Sequence, residues 1–459
     1  MRAGHTGGDG RPPTLKILVA LAWPVIVSRA TDAVMGFIDA LMTAPLGEDA
    51  LAATTTGATN AFTLAIFPMG VAFIVQSFAA QLGGRGDRAA ARRYAWYGLA
   101  VAALAGVLAI AAIPLVAPAL GLFDYSPSVH GLMTDYMVWR LVGLGAAVGA
   151  QALGDWFGGL GDTRPALRAS LLALVANVIF NWVLIYGKLG APALGVAGAA
   201  LSTTIGNFLG FGYLMLRFAR VGREPGSSGL RAAELWRMLR FGLPSGVNWF
   251  LEVSAFTVFL NLLVARMGTG VLAALNVVVQ LNMISTMPAL AFASAGAILV
   301  GQALGRGEVA RVRAVVRLTC RVNLVWHGVV ALLYLLAPSI LMAPFARSGP
   351  GGAGLVALGS TLLAVSAGWQ VFEAIASAYG ESLRAAGDTA WCMWARCALS
   401  WLGFLPISAL VLYALDLGPT AMMLCLLVRV AALAVVLVLR FRGGRWQHID
   451  LTGTRSAAA

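Results

Sequence analysis

Apolar runs of about 20 residues or more alternate with short polar stretches along the whole chain. An α-helix rises ~1.5 Å per residue, so ~20 residues cross the ~30 Å hydrocarbon core of a bilayer. A transmembrane β-strand needs only ~10 residues, and runs of this length therefore exclude a β-barrel. The pattern predicts twelve transmembrane helices, near residues 16–43, 53–81, 94–118, 131–157, 165–187, 195–218, 240–266, 272–303, 316–345, 354–381, 391–415 and 419–441.

The composition is that of an all-α integral membrane protein. The 459 residues are 59% hydrophobic and 11% charged, with a mean hydropathy of +0.83. A soluble domain of this composition would expose far too much apolar surface. The first run starts near Lys16 without a small-residue cleavage site, and further spans follow it, so we expect no removable signal peptide.

The basic residues predict the orientation, because 30 of the 32 are arginines concentrated in alternate loops. By the positive-inside rule, these loops and both termini are expected on the cytoplasmic side of a bacterial-type inner membrane. The net charge of +13 therefore indicates topology, and we expect no nucleic-acid binding. The arginine-rich set is Arg85, Arg88, Arg92, Arg93, Arg164, Arg168, Arg220 through Arg237, Arg306, Arg311, Arg313 and Arg384, with Arg2, Arg11, Arg442 and Arg445 in the termini. The other loops contain only Lys188, Arg266 and Arg347.

The chain is also an internal duplication. Pro24 precedes Asp32 by eight residues, as Pro244 precedes Glu252, and the GDT triplet at 161–163 recurs at 387–389. Six spans in each half start both halves on the same membrane side, which predicts pseudo-symmetric lobes around an axis along the membrane normal. The predicted divisions are an N-terminal tail at 1–15, an N-lobe at 16–218, a linker at 219–239, a C-lobe at 240–441 and a C-terminal tail at 442–459.

One acid, Glu252, stands near the middle of the seventh span. Arg240 and Arg266 flank that span and are 26 residues apart, roughly 39 Å of helix. A charge at the bilayer centre costs at least ~2.5–3.5 kcal/mol, so Glu252 is expected to face the protein interior or a water-filled cavity.

Four segments resemble the multidrug and toxic compound extrusion (MATE) transporters, particularly their NorM-type branch. The resemblance covers essentially the whole chain and implies a V-shaped pair of lobes. It also implies antiport of cationic amphiphilic compounds against Na⁺ or H⁺, without a further cofactor. The segments are PVIVSRATDAVMGFIDALM in span 1, GLGDTRPALRASLLALVANVIFNWVLIYGKLGAPALGVAGAA in spans 5 and 6, FGLPSGVNWFLEV in span 7 and EAIASAYGESLRAAGD in span 10.

The resemblance implies a cation or proton site in the C-lobe. Glu252 and Asn248 share a helix face, and Glu373 on span 10 stands where the branch has an aspartate. Two carboxylates could ligate Na⁺ or share a proton. Trp369 replaces a tyrosine of the branch and has no oxygen for Na⁺, so it could contact a cation through its ring or simply pack. The alternative for Glu252 is a structural, hydrogen-bonded acid.

A second coupling site is implied in the N-lobe by Asp39 on span 1 with Asn177 and Asn181 on span 5. Asparagines that bond across helices are the structural alternative. Arg29 and Asp32 are predicted to form an intrahelical ion pair, although Arg29 could instead compete with a cation for an acid. Asp155 and Glu381 are expected near the cytoplasmic ends of their spans, where water reaches. Three arginines could pair or extend to the membrane surface, Arg140, Arg396 and Arg429.

Methionines and aromatic residues accommodate varied apolar shapes and would line the substrate cavity, although each could equally be a packing residue. The candidates are Met35, Phe37, Trp249, Phe256, Phe259, Met283 and Met287.

We therefore expect a monomeric, cation-coupled exporter that contacts membrane lipids and cationic small molecules. The alternative is a lipid-linked oligosaccharide or other lipid flippase of the wider superfamily, which the mainly acidic midplane residues disfavour. An enzyme is not expected, because the sequence has no HExxH, GxSxG or P-loop motif.

Overall fold

The computed structural model describes residues 14–221, 229–345, 350–415 and 417–453, with residues 350–352 described by their backbone alone. Twelve helices in these ranges are long and apolar enough to cross a membrane, which confirms the predicted number. They are α1 (Leu15–Leu46), α2 (Glu48–Arg85), α3 (Arg88–Ala111), α4 (Pro127–Gly159), α5 (Arg164–Tyr186), α6 (Gly195–Arg220), α7 (Ala232–Met267), α8 (Thr269–Gly305), α9 (Val309–Leu336), α10 (Ala353–Ala386), α11 (Thr389–Tyr413) and α12 (Pro419–Arg442).

Several helices extend beyond the apolar runs that predicted them. Helix α7 begins at Ala232, within the predicted linker, because Ala232, Ala233 and Glu234 favour helix outside the hydrocarbon layer. Residues 222–228 of that linker lie outside the described residues, as do four basic residues used to predict the orientation, Arg2, Arg11, Arg223 and Arg347.

The packing repeats between α1–α6, the N half, and α7–α12, the C half. Helix α1 packs on α5 and on α8, and in the same way α7 packs on α11 and on α2. Prolines lie inside the paired helices at matching places, Pro24 and Pro244 in α1 and α7, and Pro68 and Pro288 in α2 and α8. The first helix of each half therefore packs against the second helix of the other half, α1 on α8 and α7 on α2.

The two halves meet tightly at the ends of α2 and α8. A Cβ on Gly84 would collide with the backbone of Gln302, and a Cβ on Gly305 would collide with the backbone of Gln81. The side chain of Gln81 donates to the carbonyl of Ala385 at 2.8 Å. The loops that follow these helix ends contain the predicted cytoplasmic arginines, so we call this the arginine-rich side. In this structure the halves are closed against each other there.

Candidate functional site in a cavity between the halves

A cavity of about 340 Å³ lies between the two halves, above their contact on the arginine-rich side. We call it the central cavity. Helices α1 and α2 supply Arg29 and Phe73, and helices of the C half supply the remaining lining side chains. Among these C-half side chains, Asn248 has an amide, Trp249 has an aromatic ring, and the charged ones are Glu252, Glu373, Glu381, Arg384 and Arg396.

Glu252 is held by two arginines that come from α11 and α12. Both carboxylate oxygens accept from Arg396 Nη1, at 3.3 and 3.2 Å. Arg429 Nη2 lies 3.9 Å from Glu252 Oε1. Unit charges ~4 Å apart attract by ~4 kcal/mol at an effective dielectric constant of ~20, so this pairing fixes where the carboxylate lies. Neither arginine could be assigned a partner from the sequence.

Glu373 lines the same cavity without such a partner. Among the described residues no hydrogen-bond donor or cation lies within bonding distance of its carboxylate; only its backbone carbonyl accepts, from Ser377 Oγ at 2.8 Å. Asn248 also faces the cavity, and its buried Oδ1 has no hydrogen-bond partner there. Trp249 packs against Phe73 with 5.1 Å between ring centroids, so an aromatic pair from both halves flanks the acids.

Arg384 joins the halves at the closed end of the central cavity. Its side chain is buried, donating to Gln76 Oε1 at 2.8 Å and to Ser77 Oγ at 3.1 Å. It also pairs with Glu381 at 2.6 Å and lies over the Phe73 ring, 3.9 Å from the centroid. Glu381 lies near the end of α10, as predicted, and its partly exposed side chain also lines the cavity and neutralises this arginine, a role that the sequence did not indicate.

The charges of the cavity correct the expectation that acids dominate the interior. Equal numbers of acidic and basic side chains line it, namely Glu252, Glu373 and Glu381, and Arg29, Arg384 and Arg396. Arg396 is paired with Glu252 and Arg384 with Glu381. Glu373 is therefore the carboxylate that lacks a close ion-pair partner within the described part of the chain.

The N half contains a separate, fully buried polar cluster around Asp39. Asn177 and Asn181 donate to Asp39 Oδ1 at 3.0 and 2.6 Å, and Thr203 of α6 donates to Oδ2 at 2.9 Å. Asn177 also bonds to Thr203, and Asn181 to Asn177, at 3.0 and 3.2 Å. All four side chains are at most 5% exposed. The structure thus brings the predicted acid and both asparagines together, and adds Thr203.

Comparison with known proteins decides the family. The profile described as MatE matches residues 24–183 and 244–407, one match in each half and together well over half of the chain. The chain belongs to the MatE family. It is thus a membrane transporter and not an enzyme.

Individual relatives of this MatE chain are similar along nearly their whole length. A protein of Neisseria meningitidis serogroup A named "Probable multidrug resistance protein NorM" is 29% identical over 435 residues, covering 92% of this chain and 93% of the relative. The crystal structure of a point mutant of the Vibrio cholerae MATE transporter VcmN aligns with a TM-score of 0.83 at 18% identity, covering 95% and 98%. A MOP superfamily transporter of Pyrococcus furiosus, reported to have a binding pocket of reverse polarity, aligns with a TM-score of 0.81 at 18% identity, covering 94% and 96%.

Several other side chains of the MatE chain lie elsewhere than expected. Arg29 faces the central cavity, and the salt bridges of the described residues do not include the predicted Arg29–Asp32 pair. Asp155 lies near the end of α4, as predicted, but its side chain is buried and accepts a hydrogen bond from Gln151 Nε2 at 2.7 Å. Arg140 has a buried Nε without a described partner.

Most of the predicted substrate walls are not at the central cavity. Of the seven candidates, only Trp249 is among the described residues that line it. Phe259 is fully buried and packs on Phe404, and Phe256 and Trp369 belong to the same apolar cluster of the C half. Phe37 and Met283 are more than half exposed on α1 and α8. Met35 and Met287 are half-buried on those helices.

Proposed function

We propose that this MatE chain exports cationic amphiphilic compounds out of the cell in exchange for Na⁺ or H⁺. The observation that carries the proposal is the placement of Glu252 and Glu373 in one cavity between two duplicated halves. The aromatic pair beside them offers apolar and cation-binding surface for such a passenger. Its relatives' name, multidrug resistance protein, supports efflux of several compounds.

The exchange follows from competition for negative charge. A bound small cation neutralises a cavity carboxylate and lowers the affinity for a cationic drug; its departure restores the charge that attracts the drug. A ligand shifts the balance between two conformations only through its different affinity for each. Drug and small cation must therefore share the same acids in the two states.

The orientation of the chain in the membrane determines which state of the transport cycle this structure represents. With the arginine-rich side in the cytoplasm, the closed contact between α2 and α8 blocks the inner side, and the structure represents the state that releases drug outwards. The opposite state requires the Gln81–Ala385 bond and the bonds of Arg384 to Gln76 and Ser77 to break. Opening at that end would bring the acids into contact with the cytoplasm.

A flippase for an anionic lipid-linked substrate is the second candidate, and the arginines of the central cavity are the observation in its favour. Two of the three are already paired with glutamates, which leaves Arg29 as the cationic group without an ion-pair partner among the described lining residues. A substrate phosphate would have to displace Glu252 or Glu381. Export of a cation therefore fits the cavity better.

Efflux from reconstituted vesicles tests the proposal. We expect ethidium export when a Na⁺ or pH gradient is imposed, and about tenfold or greater loss in Glu373→Gln, since this carboxylate has no close ion-pair partner among the described residues and even ~1.4 kcal/mol of lost attraction amounts to tenfold. Glu48→Gln is the matched control, because Glu48 is exposed at the start of α2, away from the central cavity. Dye that neither gradient moves would rule out antiport, and flipping of a fluorescent anionic lipid would favour the second candidate.

A further inference from the structure

Glu252, the acid expected to bind the coupling cation, is already paired with the positively charged side chains of Arg396 and Arg429. Arg396 Nη1 lies 3.2–3.3 Å from both carboxylate oxygens of Glu252, and Arg429 approaches the Oε1 oxygen from the other neighbouring helix. A hard cation such as Na⁺ needs these oxygens as ligands. The guanidinium groups therefore stand where the ion would be bound.

The surrounding helices hold both arginines in place. Trp401 of α11 donates its indole N–H to the carbonyl of Leu251, next to Glu252, at 3.2 Å. This bond keeps α11 against α7 one residue before the paired acid. Arg429 donates to Ser400 Oγ at 2.8 Å and lies over the Phe404 ring, with 5.5 Å between the guanidinium carbon and the centroid. The pairing is thus built from three helices and does not depend on one mobile side chain.

The chain departs from straight α-helix at this contact. Residues Phe259–Leu263 of α7 and Ala398–Phe404 of α11 are π-helical, and these segments follow Glu252 and Arg396 in their helices. Single π-helical turns often occur at functional sites because they displace the side chains around them. Here the π segment of α11 contains Ser400, Trp401 and Phe404, the three residues that fix the arrangement.

The charge of Glu252 is balanced without an added ion. Two glutamates of the C half, Glu252 and Glu373, interact electrostatically with two arginines, Arg396 and Arg429. A Na⁺ ion at Glu252 would lie beside two like charges, and Trp369, the third candidate of this site, has no oxygen to ligate it and packs in the apolar cluster of the C half. The residues present do not fit a sodium site.

We propose that Arg396 is a tethered cation that occupies the carboxylate of Glu252 in place of Na⁺, so that the C half of this transporter binds no sodium. Arg396 thereby determines the ion specificity of the exchange, with Arg429 as the positioning residue. The proposal rests on the proposed antiport function and narrows its coupling ion to the proton.

The test is thermal unfolding of the detergent-purified protein in NaCl and in choline chloride of equal ionic strength. Wild type is expected to unfold at the same temperature in both salts. Arg396→Gln exposes Glu252 to solvent cations, and NaCl is expected to raise its Tm by about 2 °C or more over choline chloride, because a ligand that binds the folded state stabilises it. Arg396→Lys keeps the tethered charge and should behave as wild type.

A sodium-specific rise in the Tm of wild type that disappears in Glu252→Gln would overturn the proposal, as would an Arg396→Gln protein that unfolds equally in both salts. Should Arg396→Gln fail to fold, radioactive Na⁺ binding to wild type decides instead, with no Glu252-dependent binding expected. Efflux separates this proposal from antiport itself. Export driven by a Na⁺ gradient in wild type contradicts the tethered cation but leaves antiport standing, whereas export driven by neither gradient contradicts antiport.

Discussion

Glu373→Gln is expected to weaken ethidium binding by about 100-fold and to reduce gradient-driven export to the rate of empty vesicles. Glu373 is the carboxylate of the central cavity without a close partner in the described part of the chain, so its charge is available to a passenger. Opposite unit charges ~5 Å apart interact by ~3 kcal/mol at an effective dielectric constant of ~20, which corresponds to about 100-fold in Kd. Equilibrium binding by fluorescence anisotropy and efflux from vesicles measure the two effects.

The matched control is Glu381→Gln, which removes a glutamate from the same cavity whose charge is already neutralised by Arg384. We expect that variant to lose stability, because a buried arginine is left unpaired, while ethidium affinity changes by less than about tenfold. Equal losses of affinity in both variants would mean that Glu373 has no special place in drug binding.

Two substitutions of Asp39 are expected to differ in their cost to stability while reducing transport to a similar extent. Asp39→Ala removes the acceptor of three buried hydrogen bonds, although each donor keeps a second acceptor. We expect about 2–4 kcal/mol of destabilisation, since each lost bond costs about 0.5–1.5 kcal/mol. Asp39→Asn keeps an oxygen for Asn177 and Asn181 and should cost only about 1 kcal/mol. Transport should fall by about tenfold or more in both, because both remove the one buried charge of the cluster. Tm and efflux rate are the measurements.

Thr203→Val is the variant that keeps the charge of the cluster and removes one donor. It should lose about 1 kcal/mol of stability and retain transport. If Asp39→Asn transports as well as wild type, the cluster is structural, as asparagines that bond across membrane helices commonly are.

The lengths of the apolar runs were sufficient to predict the twelve spans, and the spacing of Pro24 and Pro244 was sufficient to predict the duplication. The length of an apolar run is a local property that a membrane imposes on any helix crossing it, and a repeated spacing can be read directly from the sequence. The grouping of Asp39 with Asn177 and Asn181 was available because the asparagines lie four residues apart on one helix face and a resemblance placed the acid.

The pairing of charges could not be predicted in the same way. Glu252 and Arg396 are separated by 144 residues, and nothing local distinguishes Arg396 from an arginine that extends to the membrane surface. Thr203 stands between Ser202 and Thr204, and hydroxyls in helices commonly bond to their own carbonyls, as Ser202 does to Gly198. The apolar wall was predicted from residue type alone, which does not tell a cavity from a packed core, and Phe259 shows the error.

The exchange of a drug for a small cation on the cavity carboxylates is tested most directly by counting the ions released when drug binds. Ethidium is titrated into purified, weakly buffered protein while pH and Na⁺ electrodes record release. The account predicts about one proton released per ethidium bound in wild type and none in Glu373→Gln, because one unpaired carboxylate serves both ligands. Ethidium that binds wild type with no release of either ion, and binds Glu373→Gln equally well, would contradict it.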